Sequence, residues 1–128
     1  MPAPHLLVID DEPHVSLVIQ HACRSSGYRV STARTLNEGR EFIAADPDVD
    51  VLLLDVSLPD GSGLDYLAEL RTSEETSDLP VIVLTGAGYD NVLERAHALK
   101  ALVVTKPFSP TKLRRMVTGI VDGLAKNA

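Results

Sequence analysis

A single cysteine, Cys23, in a chain of 128 residues excludes an internal disulfide framework and suits a reducing compartment. Long hydrophobic runs are missing too. Apolar stretches reach about four residues, as at Val51–Leu54, where a membrane helix needs roughly 20. No secretory leader is visible, because Met1-Pro2-Ala3-Pro4-His5 has no basic stretch followed by an apolar one. Positive charge is in short supply. Twelve basic side chains against 18 acidic ones give a formal charge of −6, which argues against general nucleic-acid binding through a clustered basic surface. No internal repeat, low-complexity segment or linker divides the chain. What is present is the composition of a soluble globular domain, 45% apolar and 23% charged. A chain of this length buries roughly two-thirds of its unfolded surface, enough for one core. One domain is therefore expected over residues 1–128, with its core from 5 to 125, in the cytoplasm and off the membrane.

Short apolar runs alternate with helical patterns. His5–Ile9 reads as a buried strand that ends in Asp10-Asp11-Glu12. Pro13 suits the first turn of a helix on which Val15, Val18, Ile19 and Ala22 share a face, and Gly27 can close it at positive φ. Tyr28–Thr32 alternates as a second, partly exposed strand. Thr35 and Glu38 have capping-box spacing, which predicts a helix to Ala45 that stops before Pro47. Val51–Leu54 is a third strand, apolar throughout, as expected when both faces of a sheet are covered. Asp55–Gly63 reads as a loop before a helix bearing Leu64, Leu67 and Ala68. Pro80–Leu84 and Leu102–Val104 are the fourth and fifth strands, separated by a helix from Asp90 to Leu99. Ser109-Pro110 caps a final helix with a stripe of Leu113, Met116, Val117, Ile120 and Leu124.

Five strands alternating with five helices predict a doubly wound (βα)5 sheet of parallel strands with helices on both faces. Right-handed crossovers favour the flavodoxin-like order 2-1-3-4-5, whose ligands bind at the carboxyl ends of the strands. At that edge strand 1 delivers Asp10, Asp11 and Glu12, strand 3 Asp55, strand 4 Thr85 and strand 5 Lys106. Two carboxylates about 4 Å apart repel by about 1 kcal/mol in water and ~4 at an effective dielectric of 20. Lys106 can offset one charge, and a hard divalent ion such as magnesium suits the remaining oxygens. Each residue alone has a bland reading as a cap, a turn residue or a solvated charge. One complementary group per strand end, at the edge where such sheets bind ligands, points to a site.

From Leu6 to Leu124 the chain resembles the receiver domain of bacterial two-component response regulators, the CheY-like domains. The resemblance rests on Leu7-Val8-Ile9-Asp10-Asp11-Glu12-Pro13, on Leu53-Leu54-Asp55-Val56-Ser57-Leu58-Pro59-Asp60-Gly61-Ser62-Gly63, on Val83-Leu84-Thr85-Gly86 and on Thr105-Lys106-Pro107-Phe108. It implies that Asp55 accepts a phosphoryl group from a histidine kinase or histidine phosphotransfer protein. It further implies Mg2+ bound by Asp11, Asp55 and the Ser57 backbone carbonyl, with Asp10 acting through bound water. Thr85 would hydrogen-bond the phosphoryl group, Lys106 would form an ion pair with it, and Lys106–Pro107 would be cis. The implied protein is a signalling domain that assists its own phosphorylation and dephosphorylation, not an enzyme with a turnover substrate. Its output would be a protein target or an attached output domain, with a homodimer as an option. No output domain fits in the remaining length.

The chain departs from that pattern at several places. Val103 stands three positions before the lysine, where such domains usually carry an aromatic ring. The segment from Thr85 to Lys106 is about one residue short and lacks the glycine that commonly precedes the last strand. Leu99-Lys100-Ala101-Leu102 replaces a small acidic turn. Ala87 has no group to orient an attacking water, which implies slow self-dephosphorylation. Two rivals stay open. A docking module that signals without phosphorylation fits Val103. An aspartyl-phosphate hydrolase would carry an acid two residues after its nucleophile, where Ser57 stands. Four histidines, His5, His14, His21 and His97, show no ligand spacing, and Lys112, Arg114 and Arg115 form a basic spot on the last helix.

Overall fold

A computed structural model of the chain describes residues 3–46, 48–86 and 90–126. In chain order the elements are β1 (His5–Ile9), α1 (Pro13–Arg24), β2 (Arg29–Ala33), α2 (Leu36–Ala45), β3 (Val51–Asp55), β4 (Ser57–Leu58), β5 (Gly61–Ser62), α3 (Gly63–Thr72), β6 (Val81–Thr85), α4 (Asp90–Ala98), β7 (Leu102–Thr105) and α5 (Pro110–Lys126). The main sheet has the order β2-β1-β3-β6-β7, and every neighbouring pair is parallel. With the two short strands set apart, this is the predicted 2-1-3-4-5. Those short strands are a correction. Residues 57–62 form an antiparallel hairpin of their own, Ser57 opposite Ser62 and Leu58 opposite Gly61, where the sequence suggested an irregular loop. Two-residue strands are too short for alternation to reveal them.

The sheet separates two cores. Leu6, Val8, Val51, Leu53, Ile82, Leu84 and Val104 face Val15, Ile19 and Cys23 of α1 and Leu113 and Val117 of α5. The alternate positions Leu7, Ile9, Leu52, Leu54, Val81 and Val83 face Leu36 of α2, Leu64 and Leu67 of α3 and Ala96 of α4. Side chains of period two therefore send each apolar strand to both layers, which is why these strands are hydrophobic throughout. Each fully buried Leu or Ile contributes about 1.5–3 kcal/mol relative to an exposed one. Cys23 is one of these core residues, and burial pushes its thiol up to about 11.

Local signals act as the sequence suggests, with two adjustments. After α1, Gly27 at φ 85 completes a left-handed close: its N–H donates to Arg24 and that of Tyr28 to Cys23. Thr35 Oγ1 accepts from Glu38 N at 3.1 Å, but Glu38 Oε2 reaches the amide of Arg34, one residue before the expected partner. At the other end, Leu124 is 39% exposed and falls outside the core stripe. Seventeen helical residues span about 25 Å against about 17 Å for a five-residue strand, so the last turn of α5 overhangs the sheet. None of the described helices is long and apolar enough to cross a membrane.

Before β7, Lys100 adopts φ 60 in the turn that lacks a glycine. A left-handed residue with a Cβ costs about 1–2 kcal/mol, and glycine gives back about 0.5–1 of that in chain entropy. Lys100→Gly is accordingly expected to stabilise the fold by about 0.5–1 kcal/mol, read as a higher urea midpoint at unchanged slope. A midpoint at or below the parent value would contradict this account of the turn.

Candidate functional site

Parallel register brings the strand ends level. Ile9 lies opposite Leu54, Asp55 opposite Leu84, and Thr85 opposite Thr105. Backbone bonds carry the pairing one residue further: Asp10 N donates to Ala33 O, Val56 N to Leu84 O, and Lys106 N to Thr85 O. The Cα positions of the candidate residues are thus fixed before any side chain interacts. Alternation then sorts them. Asp10 continues the row of Leu6 and Val8, Asp55 that of Val51 and Leu53, and Lys106 that of Val104, all on the side covered by α1 and α5. Thr85 continues the row of Val81 and Val83, on the other side.

Side-chain contacts follow that sorting. Lys106 Nζ lies 2.8 Å from Glu12 Oε1, 2.9 Å from Asp10 Oδ2 and 3.2 Å from Asp55 Oδ2. Asp10 and Asp55 are buried, Asp11 is half-buried and Glu12 is exposed. Asp55 Oδ1 accepts from Ser57 N at 3.2 Å, and Asp10 Oδ1 from Glu12 N at 2.8 Å. Thr85 is buried at the same edge, but among the described residues no hydrogen bond joins its hydroxyl to Asp55 or Lys106. The Lys106–Pro107 peptide bond is cis. Residues 87–89 lie outside the described residues, and with them the expectation attached to Ala87.

Charge is out of balance in this crevice, where one ammonium touches three carboxylates and a fourth, Asp11, lies beside two of them. Burial lifts the Asp55 carboxyl above its ordinary range, and the charge of Asp10 adds to the lift. Lys106 is opposed by burial as well, yet its hydrogen bond to Glu12 and its contacts with the charged Asp10 and Asp55 raise it above the usual lysine range. Asp10 Oδ2 stays unsatisfied. It lies 2.9 Å from the ammonium as an ion contact, and it is buried without a hydrogen-bond partner. One oxygen each from Asp10, Asp11 and Asp55 lies within 4.8 Å of the others. An orphaned anionic oxygen within an all-oxygen set fits a hard divalent cation such as Mg2+.

The supporting roles of two residues were not read from the sequence. A Cβ at Gly63 would overlap the backbone oxygen of Asp55, so glycine there lets α3 start directly against the end of β3. Asp60, at the tip of the β4–β5 hairpin, accepts from Leu36 N and Asn37 N and so ties the segment after Asp55 to the start of α2. The glycine and the acid-Gly turn were visible signals, but their partners lie 8 and 24 residues away. At the opposite edge His5 is buried, its Nδ1 3.1 Å from Asp48 Oδ1 and its Nε2 2.7 Å from Ser31 Oγ. Both ring nitrogens are occupied, and His14 is exposed.

Fold and pocket define a class: a flavodoxin-like α/β domain with an acidic, lysine-bearing crevice at the carboxyl edge. A family model of the response regulator receiver domain matches residues 6–118, and the chain belongs to that family. It is 43% identical to the probable transcriptional regulatory protein TcrX of Mycobacterium tuberculosis over 109 residues, 81% of this chain and 44% of that protein. It is 34% identical to the phosphate regulon transcriptional regulatory protein PhoB of Pseudomonas aeruginosa, over 84% of this chain and 47% of that protein. The chain therefore spans about half the length of these two curated relatives. A crystal structure of a CheY-like receiver domain protein from Methanospirillum hungatei superposes with a TM-score of 0.89 at 22% identity, covering 98% of this chain and 99% of that one. Receiver domains are signalling domains that take phosphoryl groups from histidine kinases and generally bind Mg2+ in an acidic pocket.

The raised Asp55 carboxyl has a consequence for stability. Its folded pKa lies above the unfolded value of about 3.9, so the folded state holds the proton longer and stability falls as pH rises through that interval. Asp55→Asn removes the ionised form. The variant should melt above the parent at pH 7, and the gap should close as pH drops below about 4. Equal melting temperatures at pH 7 would contradict the assignment of a strained carboxylate.

Proposed function

We propose that Asp55 accepts the phosphoryl group from a histidine kinase or histidine phosphotransfer protein, and that this chain is a phosphorylation-controlled switch in the cytoplasm. One observation carries the reading: Asp55 is a buried carboxylate 3.2 Å from a half-buried ammonium and beside the orphaned Asp10 Oδ2. Asp10, Asp11 and Asp55, with the Ser57 backbone carbonyl, would hold Mg2+, which when bound neutralises charge on the transferring group. The chain's own residues do the rest. Asp55 Oδ attacks phosphorus as the donor bond breaks, so positioning and charge compensation are the main demands on the protein. Lys106 supplies a positive charge that is already in contact with the acceptor carboxylate before transfer.

The acyl phosphate carries a charge of about −1.5 to −2 where a carboxylate stood. That change draws Lys106 and Thr85 toward the phosphoryl oxygens and moves the segment after β6. Thr85 starts from the opposite row of the sheet, so its approach requires a rearrangement of that strand end. The new surface acts on a protein target or on an attached output region. A second reading keeps the pocket but dispenses with phosphorylation. Val103 favours it, being half-buried against the core shared by α2, α3 and α4 with no ring to relay a movement of Thr85.

Intact-mass spectrometry after incubation with Mg2+ and acetyl phosphate separates the two. The switch requires one phosphoryl adduct, labile to hydroxylamine and absent from Asp55→Asn. No adduct on the parent chain would leave the docking reading standing, and an undiminished adduct on the variant would move the acceptor elsewhere.

A further inference from the structure

Glu12 makes the shortest contact with the Lys106 ammonium, 2.8 Å, although it is the most exposed of the three carboxylates that touch it. Its side chain is 58% exposed, against 0% for Asp10 and 8% for Asp55. Its backbone is fixed in turn, since Glu12 N donates to Asp10 Oδ1. Glu12 and Lys106 also line a neighbouring groove of about 560 Å3 with Val15, Val18, Pro107 and Phe108, a groove whose lining does not include Asp55. The lysine is therefore shared between Asp55 on the inside and a carboxylate at the mouth of the crevice.

Resting on the reading of Asp55 as acceptor, we propose that Glu12 is a positioning residue for phosphoryl transfer: it holds Lys106 in the resting chain and competes with the incoming phosphoryl group for it. Two physical effects act in the same direction. The Glu12 carboxylate repels an anionic donor at the entrance, and its bond to Lys106 must be exchanged for one to the phosphoryl oxygens. With acetyl phosphate the step balances without a proton. An Asp55 Oδ–P bond forms, the P–O bond to the acetyl group breaks, and its electron pair leaves with acetate.

The test compares the second-order rate of adduct formation from acetyl phosphate and from phosphoramidate, in saturating Mg2+, for the parent chain, Glu12→Gln and Glu12→Ala. Removing one charge near the reacting group at an effective dielectric of 20 to 80 predicts a rise of at least about threefold with acetyl phosphate, largest at low salt. The rise should be smaller with phosphoramidate, which carries less negative charge, and both variants should bind beryllofluoride more tightly. A merely structural role would not distinguish the two donors. Parent-like rates on both donors, or slower rates in both variants, overturn the proposal while leaving Asp55 as acceptor. Failure of the parent chain to form any adduct overturns the acceptor reading and, with it, this one.

Discussion

One ammonium serving three carboxylates is the constraint on which the pocket depends. Asp10 and Asp55 leave the ends of adjacent strands, β1 and β3, on the same side of the sheet, and neither has enough water around it to screen the other. Without Lys106 their proximity would cost several kcal/mol at an intermediate dielectric. With it, the cluster holds together but remains short of positive charge, and the unsatisfied Asp10 Oδ2 is the local sign of that shortage. A crevice in this condition has the charge and the oxygen donors that suit a small dication, as the proposed phosphoryl transfer requires.

The parallel sheet makes such an arrangement possible at all. Adjacent strands end level, and backbone bonds continue for one residue beyond them, so Asp10, Asp55 and Lys106 are anchored on rigid supports. The close start of α3 at Gly63 and the cap that Asp60 places on α2 brace the segment that follows Asp55. On the far side of the sheet, Thr85 occupies the alternate row. That split gives the two partners proposed for the phosphoryl group different starting points: Lys106 is already in contact with Asp55, whereas Thr85 has to move.

Most of the architecture was legible because fully apolar four-residue runs at regular spacing have few alternatives to a parallel, doubly covered sheet. Asp10, Asp55, Thr85 and Lys106 were legible for a related reason: the first three directly follow such a run, and Lys106 comes one residue later, after Thr105. Direct contact was less legible, since alternation places Thr85 on the opposite row and no residue spacing announces how Glu12 would bend toward Lys106. The β4–β5 hairpin is too short to show a period. Gly63 and Asp60 act on atoms distant in sequence or on the backbone itself, and the contact of buried His5 with exposed Asp48 joins residues 43 apart. In each case the missing information was tertiary.

Lys106→Met tests the central electrostatic claim most directly, by denaturant unfolding in metal-free buffer and again with millimolar Mg2+. The account predicts a loss of about 1–3 kcal/mol without metal, less than for a dry ion pair because the crevice opens to solvent. It also predicts that Mg2+ stabilises the variant more than the parent, since a dication replaces the charge that was removed. A variant as stable as the parent in metal-free buffer would show that the carboxylates do not need the ammonium, and the account of the pocket would fail.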